Sequence, residues 1–351
     1  LMKILFLIDT LRAGGAERRL VELLKGLSKS NNITFSIIIM NSNVHYDEVY
    51  DLCDVHLVNR HKGFDIRTLI KVIFLYKKIK PDLIHSWSGI TTYYAIPLKI
   101  LFRTKIIGSY ITGSRYVKYK YLFPFTDLII ANSYAGLKAN LAPSQKSKVI
   151  YNGFDFNRIN NLRDKEELIA ELIIPSGFYI VGMVASFTTS KDYNSFINAA
   201  FEVLKQINNV VFLCIGDGDD SFYKQKTSTF QKHFRFLGKR HDVEDLINMM
   251  DVCVLTTFTE GVSNAVLEYM ALQKPVVASG EGGLSEIIEN NESGFLFPVG
   301  EFLLVAEKII KLLNNKKLKQ TMGVKGGKIV EEKFPINKMI TEYIQVYNNF
   351  L

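Results

Sequence analysis

The residues best suited to chemistry lie in one run, Glu260-Gly261-Val262-Ser263-Asn264-Ala265-Val266-Leu267-Glu268. Two carboxylates flank a glycine-containing loop and the start of a helix over residues 264–272, with Ser263 or Asn264 as its N-cap. A helix N-terminus with free N–H groups is a ready diphosphate site. Glu260 stands just before it, near whatever the phosphate carries. Glu268 lies one turn in, among Val266, Leu267, Tyr269 and Met270, and a carboxylate in so apolar a helix needs a partner. Two ribose hydroxyls would supply it. As bare residues, the two read more simply as a solvated helix carboxylate and a loop charge.

Gly14-Gly15, between a strand-like run and a helical one, could turn N–H groups toward an anion. The simpler reading is a tight strand-to-helix turn. It is no dinucleotide fingerprint, because G-x-G-x-x-G is absent there. His85 ends a strand-like run and is read either as a cleft-facing group or as a core or capping histidine. No Walker A and no H-E-x-x-H run occurs, and the six histidines lack ligand spacing, so neither a metal nor a cofactor is expected.

Residues 251–296 resemble the signature of the family 4 retaining glycosyltransferases of the GT-B fold. In order they carry Asp251, an apolar run 252–255, Glu260-Gly261, Asn264, Leu267-Glu268, Pro275-Val276-Val277-Ala278, the glycine loop 280–283, Glu286 and Gly294. Gly14-Gly15-Ala16-Glu17-Arg18, Ala131-Asn132-Ser133 and Val149-Ile150-Tyr151-Asn152-Gly153-Phe154-Asp155 extend the likeness through the first half. Gly216-Asp217-Gly218 and Gly238-Lys239-Arg240-His241-Asp242-Val243 extend it through the second.

The resemblance implies roles. Glu268 resembles the carboxylate that holds the donor ribose, and Glu260 the one that faces the donor sugar. Backbone N–H groups of Gly261, Val262 and Ser263, beside Asn264, would meet sugar hydroxyls and phosphate, with Ala265 and Val266 under the diphosphate. Lys191 matches the lysine that the family sets on the diphosphate, whereas Ser186 stands where many members have arginine. Arg240 lies in the turn that the family uses for the base, and Arg12, Arg18 or Arg115 could replace the missing cation. Many members place a histidine after the strand equivalent to 105–109. Here residues 108–115 hold none, and Ser114 and Arg115 stand there as acceptor or phosphate contacts. Asp217-Gly218-Asp219 is a D-x-D triplet, which binds a metal in a different glycosyltransferase fold and is not expected to do so here.

The elements that must position these residues alternate along the chain. Strand-like runs at 3–8, 33–40, 82–85, 105–109, 128–131 and 148–151 are joined by helical segments at 16–27 and 66–80. Residues 154–176 break the rhythm and read as an inter-domain segment. A second series follows, with strands at 179–185, 210–215, 234–237, 252–255 and 275–278 and helices at 193–207, 243–250 and 264–272. Phe334-Pro335 breaks the chain before a last helix, 336–350. The expected fold is α/β: two Rossmann-like, doubly wound domains of the GT-B type facing across a cleft. Residues 1–156 would bind acceptor, 157–335 would bind the nucleotide sugar, and 336–351 would return toward the first domain.

With 351 residues, 48% hydrophobic and 8 Pro, the chain is an ordinary two-domain globular protein. No uncharged apolar stretch reaches the ~18 residues of a membrane span. The opening run 4–8 is too short for a signal-peptide core, and Leu1 before Met2 is given no function. Cys53, Cys214 and Cys253 read as free thiols, the last two buried, in a reducing compartment. The net charge of +8 hides an asymmetry: +11 in residues 1–155 (22 Lys+Arg, 11 Asp+Glu) against −3 in 156–351 (21 against 24). Residues 66–80, 93–103 and 116–125 mix cations with aromatics, which favours an anionic membrane surface over nucleic acid, the simpler reading being solvated helix faces and core aromatics.

Together these features predict a metal-independent, retaining glycosyltransferase that is cytoplasmic or peripheral on the inner face of the plasma membrane. It would move a sugar from a nucleotide-diphosphate donor, UDP favoured, to a glycan or lipid-linked acceptor. Abundant Lys, Asn and Ile point to an AT-rich bacterial genome and hence to surface-polysaccharide assembly. The alternatives are a sugar-nucleotide epimerase on the same fold and a non-catalytic binding relative.

Overall fold

The computed structural model describes residues 1–12, 14–61, 63–111, 120–280 and 282–350. The chain forms two compact units, Leu1–Gly153 with Ile336–Leu351, and Phe154–Pro335.

The first unit is built on seven parallel strands: β1 (Met2–Ile8), β2 (Ile33–Ile39), β3 (Asp54–Leu57), β4 (Leu83–Ser86), β5 (Lys105–Ile111), β6 (Leu128–Ala131) and β7 (Ser147–Val149). Their order is β3-β2-β1-β4-β5-β6-β7. β1 lies centrally and is apolar on both faces, as a parallel strand covered on two sides must be. Ile4 and Phe6 point to one face, where the helices Gly15–Leu27 and Ile336–Asn348 pack through Leu20, Leu24, Tyr343 and Tyr347. Leu5 and Leu7 point to the other, covered by the helices Ile66–Ile79 and Gly89–Phe102.

The second unit has six parallel strands: β8 (Tyr179–Val184), β9 (Val210–Ile215), β10 (Phe234–Gly238), β11 (Val252–Leu255), β12 (Val276–Ser279) and β13 (Gly294–Phe297). Their order is β10-β9-β8-β11-β12-β13. The chain winds outward from β8 in one direction and from β11 in the other, so the topological switch point lies between β8 and β11. Residues 154–176, expected to link the domains, fold into this unit instead. They form the 3-10 turn Phe156–Ile159 and the helix Lys165–Glu171, whose N–H groups Asp164 caps. The Phe154 amide donates to Phe334 O at 2.8 Å, closing the unit where the chain enters and leaves it. Cys214 and Cys253 are fully buried free thiols, while half-buried Cys53 is pushed up to about 12 by desolvation. Among the described residues, no helix is long and apolar enough to cross a membrane.

Candidate functional site

Ligands of open parallel sheets bind beyond the strand carboxyl ends at the switch point. In the second unit four loops meet there, following β8, β9, β11 and β12. Backbone bonds knit them together. Asp192 N donates to Thr256 O (3.0 Å), Phe258 N to Ser190 O (3.0 Å) and Phe187 N to Asp217 O (2.7 Å). Thr256 Oγ1 donates to Asp192 O (2.7 Å), and Thr257 Oγ1 to Ser190 O (2.9 Å). Asp192 also caps the helix Tyr193–Leu204 by accepting from Ser195 N at 3.0 Å. This lattice sets Lys191 opposite Thr257, and the Lys191 ammonium pairs with the Glu260 carboxylate. The two side chains remain 17% and 22% exposed, so a ligand can reach both.

The loop after β12 supports Glu260 from behind. Gly283 N donates to Glu260 O at 2.8 Å. Gly282 has φ +75°, and a Cβ there would stand 2.1 Å from Glu260 O, so this approach requires glycine.

The helix Asn264–Ala271 starts at Ser263, which takes the N-cap position without making the side-chain capping bond. Its orientation is fixed by Tyr269, whose hydroxyl accepts from Val184 N (2.6 Å) at the end of β8 and donates to Val254 O (3.4 Å) in β11. Glu268 on this helix is buried, not solvated. Its carboxylate accepts from Arg158 at 2.9 Å, and Arg158 also pairs with buried Glu244 and lies over the Phe154 ring at 5.1 Å. The partner that the sequence reading sought in ribose hydroxyls is therefore already present as a guanidinium. Arg158 had no local signal, standing 110 residues away; the only clue was the cation that a buried acid demands.

The other sequence-predicted residues fall differently. Ser186 is half-buried in the loop after β8, and its carbonyl accepts from Thr188 N at 2.9 Å. Arg240 is committed to Asp242 (2.6 and 2.8 Å) and Glu171 (2.9 Å), acids that raise its pKa, so its charge does not replace the missing arginine. Asp217 and Asp219 accept backbone N–H groups within their own turn (2.8 and 3.0 Å), and no cluster of three metal-ligating side chains occurs among the described residues.

In the first unit, Gly14 is the N-cap of the helix Gly15–Leu27, and a Cβ on it would stand 2.3 Å from Glu17 Oε2. The Glu17 carboxylate thus packs against Gly14, and burial pushes its pKa up. Of the two readings of His85, the core one holds and the cleft-facing one, with its acceptor or phosphate contact, does not. His85 is fully buried, with Nδ1 2.8 Å from the Tyr347 hydroxyl and Nε2 2.8 Å from Ser109 Oγ, and desolvation holds its pKa well below 6.5. The parallel strands explain this: β4 is covered on both faces, leaving the ring no outlet. Ser114 and Arg115 lie outside the described residues.

Residues 13–158 match the family model for Glycosyltransferase Family 4, and residues 179–315 match that for Glycosyl transferases group 1. The capsular polysaccharide biosynthesis glycosyltransferase CapM of Staphylococcus aureus is 28% identical over 316 residues, 82% of each chain. An α-1,4-N-acetyl-D-galactosaminyltransferase of Campylobacter jejuni, named for a diphosphoundecaprenol-linked acceptor, is 26% identical over 99% of this chain and 98% of its own. The crystal structure of HepE of Anabaena in complex with UDP-glucose superposes with TM-score 0.87 at 22% identity, covering 99% of this chain and 100% of that one.

Proposed function

This chain belongs to the family 4, group 1 glycosyltransferases, and from that premise we propose that it transfers a sugar, with retention, from a UDP-sugar to a glycan or lipid-linked acceptor in bacterial surface-polysaccharide assembly. The relatives named above, acting in capsule synthesis and on an undecaprenol-linked glycan, support the pathway class. The UDP-glucose bound by a protein of the same fold supports the donor class.

The observation that carries the reading is the Lys191–Glu260 pair at the switch point, beside a helix start and above buried Glu268. Without donor, each charge of the pair neutralises the other. An arriving diphosphate takes the ammonium and frees Glu260 to accept hydrogen bonds from the sugar hydroxyls. Glu268, paired with Arg158, is the carboxylate that would receive the ribose. In the transfer step the bond from the anomeric carbon to phosphate oxygen breaks, and the acceptor oxygen bonds to the same face. The acceptor proton passes to the departing phosphate oxygen. Lys191 and the helix N-terminus stabilise the charge that gathers on the diphosphate, without a metal.

The test is a melting curve with UDP, GDP, ADP and CDP side by side, followed by product analysis. A nucleotide at ~100 times its Kd stabilises by about 2.7 kcal/mol, well within resolution. A shift with UDP alone and a lengthened acceptor are expected. No shift with any nucleotide, or an epimerised donor with no acceptor product, would overturn the reading.

A further inference from the structure

Lys191, Glu260 and Glu268 stand on the loops of the second sheet or on the helix Asn264–Ala271. Arg158 stands on neither. It belongs to the stretch 154–176, which reads in the sequence as a linker, and reaches Glu268 from the 3-10 turn Phe156–Ile159. That turn is held on every side. Asp155 caps it by accepting from Asn157 N at 3.0 Å, and Arg158 N donates to Asp155 O at 3.1 Å. The Phe154 amide is tied to Phe334 O, and the buried Phe154 ring lies under the Arg158 guanidinium at 5.1 Å.

The guanidinium ends between acids from two helices. Its Nη2 serves both Glu268 Oε1, at 2.9 Å, and the carboxylate of Glu244, in the helix Val243–Met249. The acid side chains are only 4% and 11% exposed, so these charge-assisted bonds are little screened by water. Tyr269 fixes the helix that carries Glu268, but not the carboxylate itself. A glutamate carboxylate turns in a broad torsional well about its last bond. A bond to a cation that is itself anchored by Glu244 and Phe154 narrows that well. Recognition of two adjacent hydroxyls needs the carboxylate held in one plane, because misplaced acceptors lose most of a hydrogen bond.

We propose that Arg158 is a positioning residue for the donor. Acting through Glu268, it sets the carboxylate toward the ribose hydroxyls and makes the site select a ribonucleotide over its 2′-deoxy form. The proposal rests on the ribose role of Glu268 stated under the proposed function, and adds to it a residue one step removed from the donor.

The test is calorimetric binding of UDP and 2′-deoxy-UDP to the full chain, read as the ratio of their dissociation constants. One hydrogen bond to a charged group gives the parent a ratio of about ten-fold to a hundred-fold. Arg158→Met should bring the ratio below about three-fold, chiefly by weakening UDP. Glu268→Ala should lower it as far, and adding Arg158→Met to that variant should change nothing more. Arg158→Lys restores a cation and should recover part of the ratio. Arg163→Met removes a cation from the same stretch that pairs instead with Glu167, Glu171 and Asp242, and should keep the parental ratio. Melting curves show that each variant folds. If Arg158→Met does not, the double variant R158M/E244Q, which strands one acid instead of two, carries the same expectation. A parental ratio in Arg158→Met, even with both affinities reduced, would overturn the proposal. So would a lysine variant no better than methionine, an equal fall in Arg163→Met, or a further fall in the Glu268→Ala background. No UDP binding by the parent, no preference for it over the deoxy form, or a parental ratio in Glu268→Ala would overturn the donor reading and the proposal with it.

Discussion

Arg158 can be tested by removing its charge while keeping its bulk. In Arg158→Met the side chain still covers the Phe154 ring, but Glu268 and Glu244 lose their shared cation. Glu268 is only 4% exposed at its side chain, so water cannot replace the guanidinium there. Breaking a buried pair from one side costs about 3–5 kcal/mol. Because Arg158 is itself 20% exposed, some water enters its place, and the lower end, about 3 kcal/mol, is expected. Glu268→Gln leaves Arg158 paired with Glu244 and should cost about 1 kcal/mol. The double variant removes one of the two stranded charges and leaves Glu244, so its loss should fall short of the summed single losses by at least ~1 kcal/mol, a coupling that a double-mutant cycle resolves. Urea unfolding provides the readout. Trp87 is the chain's one tryptophan and lies in the first unit, so its fluorescence follows that unit, whereas far-UV circular dichroism follows both. A shift in the circular-dichroism transition that the fluorescence lacks would locate the loss in the second unit. Arg158→Met within about 0.5 kcal/mol of the parent, or strict additivity in the cycle, would refute the reasoning.

Two further outcomes follow from the geometry. Native His85 stays neutral because burial lowers its pKa, while the unfolded chain takes up a proton as pH falls through 6.5. Stability of the first unit should be full above that pH and fall below it by up to about 1.4 kcal/mol per pH unit. Trp87 fluorescence in urea should show that slope, and His85→Gln should remove it; a slope that persists in the variant would sink the assignment. Gly282→Ala would drive a Cβ into Glu260 O and shift the loop carrying Glu260. Displacements near 1 Å cost about a hundred-fold in rate, so transfer should fall at least ten-fold while UDP affinity, which the proposed function assigns to Glu268, changes little. Unimpaired single-turnover transfer would refute that role.

The strands were legible where they are buried on both faces. β6, β9 and β11 begin and end where their apolar runs do, because nothing polar interrupts a doubly covered strand. β3 escaped notice, since Asp54-Val55-His56-Leu57 at the sheet edge carries no such run. The helix Gly89–Phe102 escaped for the opposite reason: with apolar side chains outside as well as inside, and Pro97 within it, it shows almost no periodicity. In the site, the need of Glu268 for a partner was readable from its apolar neighbours, but Arg158 was not, because chain proximity says nothing about a contact spanning 110 residues. The Lys191–Glu260 pair was visible only as two separate charges; the loop lattice that joins them is largely backbone hydrogen bonding, which side-chain types do not encode, with Thr256 and Thr257 hydroxyls added to it. His85 was left open between cleft and core, because the sequence does not say that the end of a parallel strand can be as closed as its middle.

The helix Ile336–Asn348 completes the core of the first unit with Met339, Tyr343, Val346 and Tyr347. On the ribosome this reverses the usual order, in which the part made first also folds first. The second unit is continuous from Phe154 to Pro335, so its whole core has been synthesised before that helix exists. The first unit, begun earlier, must wait with Phe6, Leu20, Leu24 and Trp87 uncovered. A nascent chain of this protein thus carries an open apolar face throughout synthesis of the second unit, a defined surface for a holdase chaperone to cover until residue 348 has emerged.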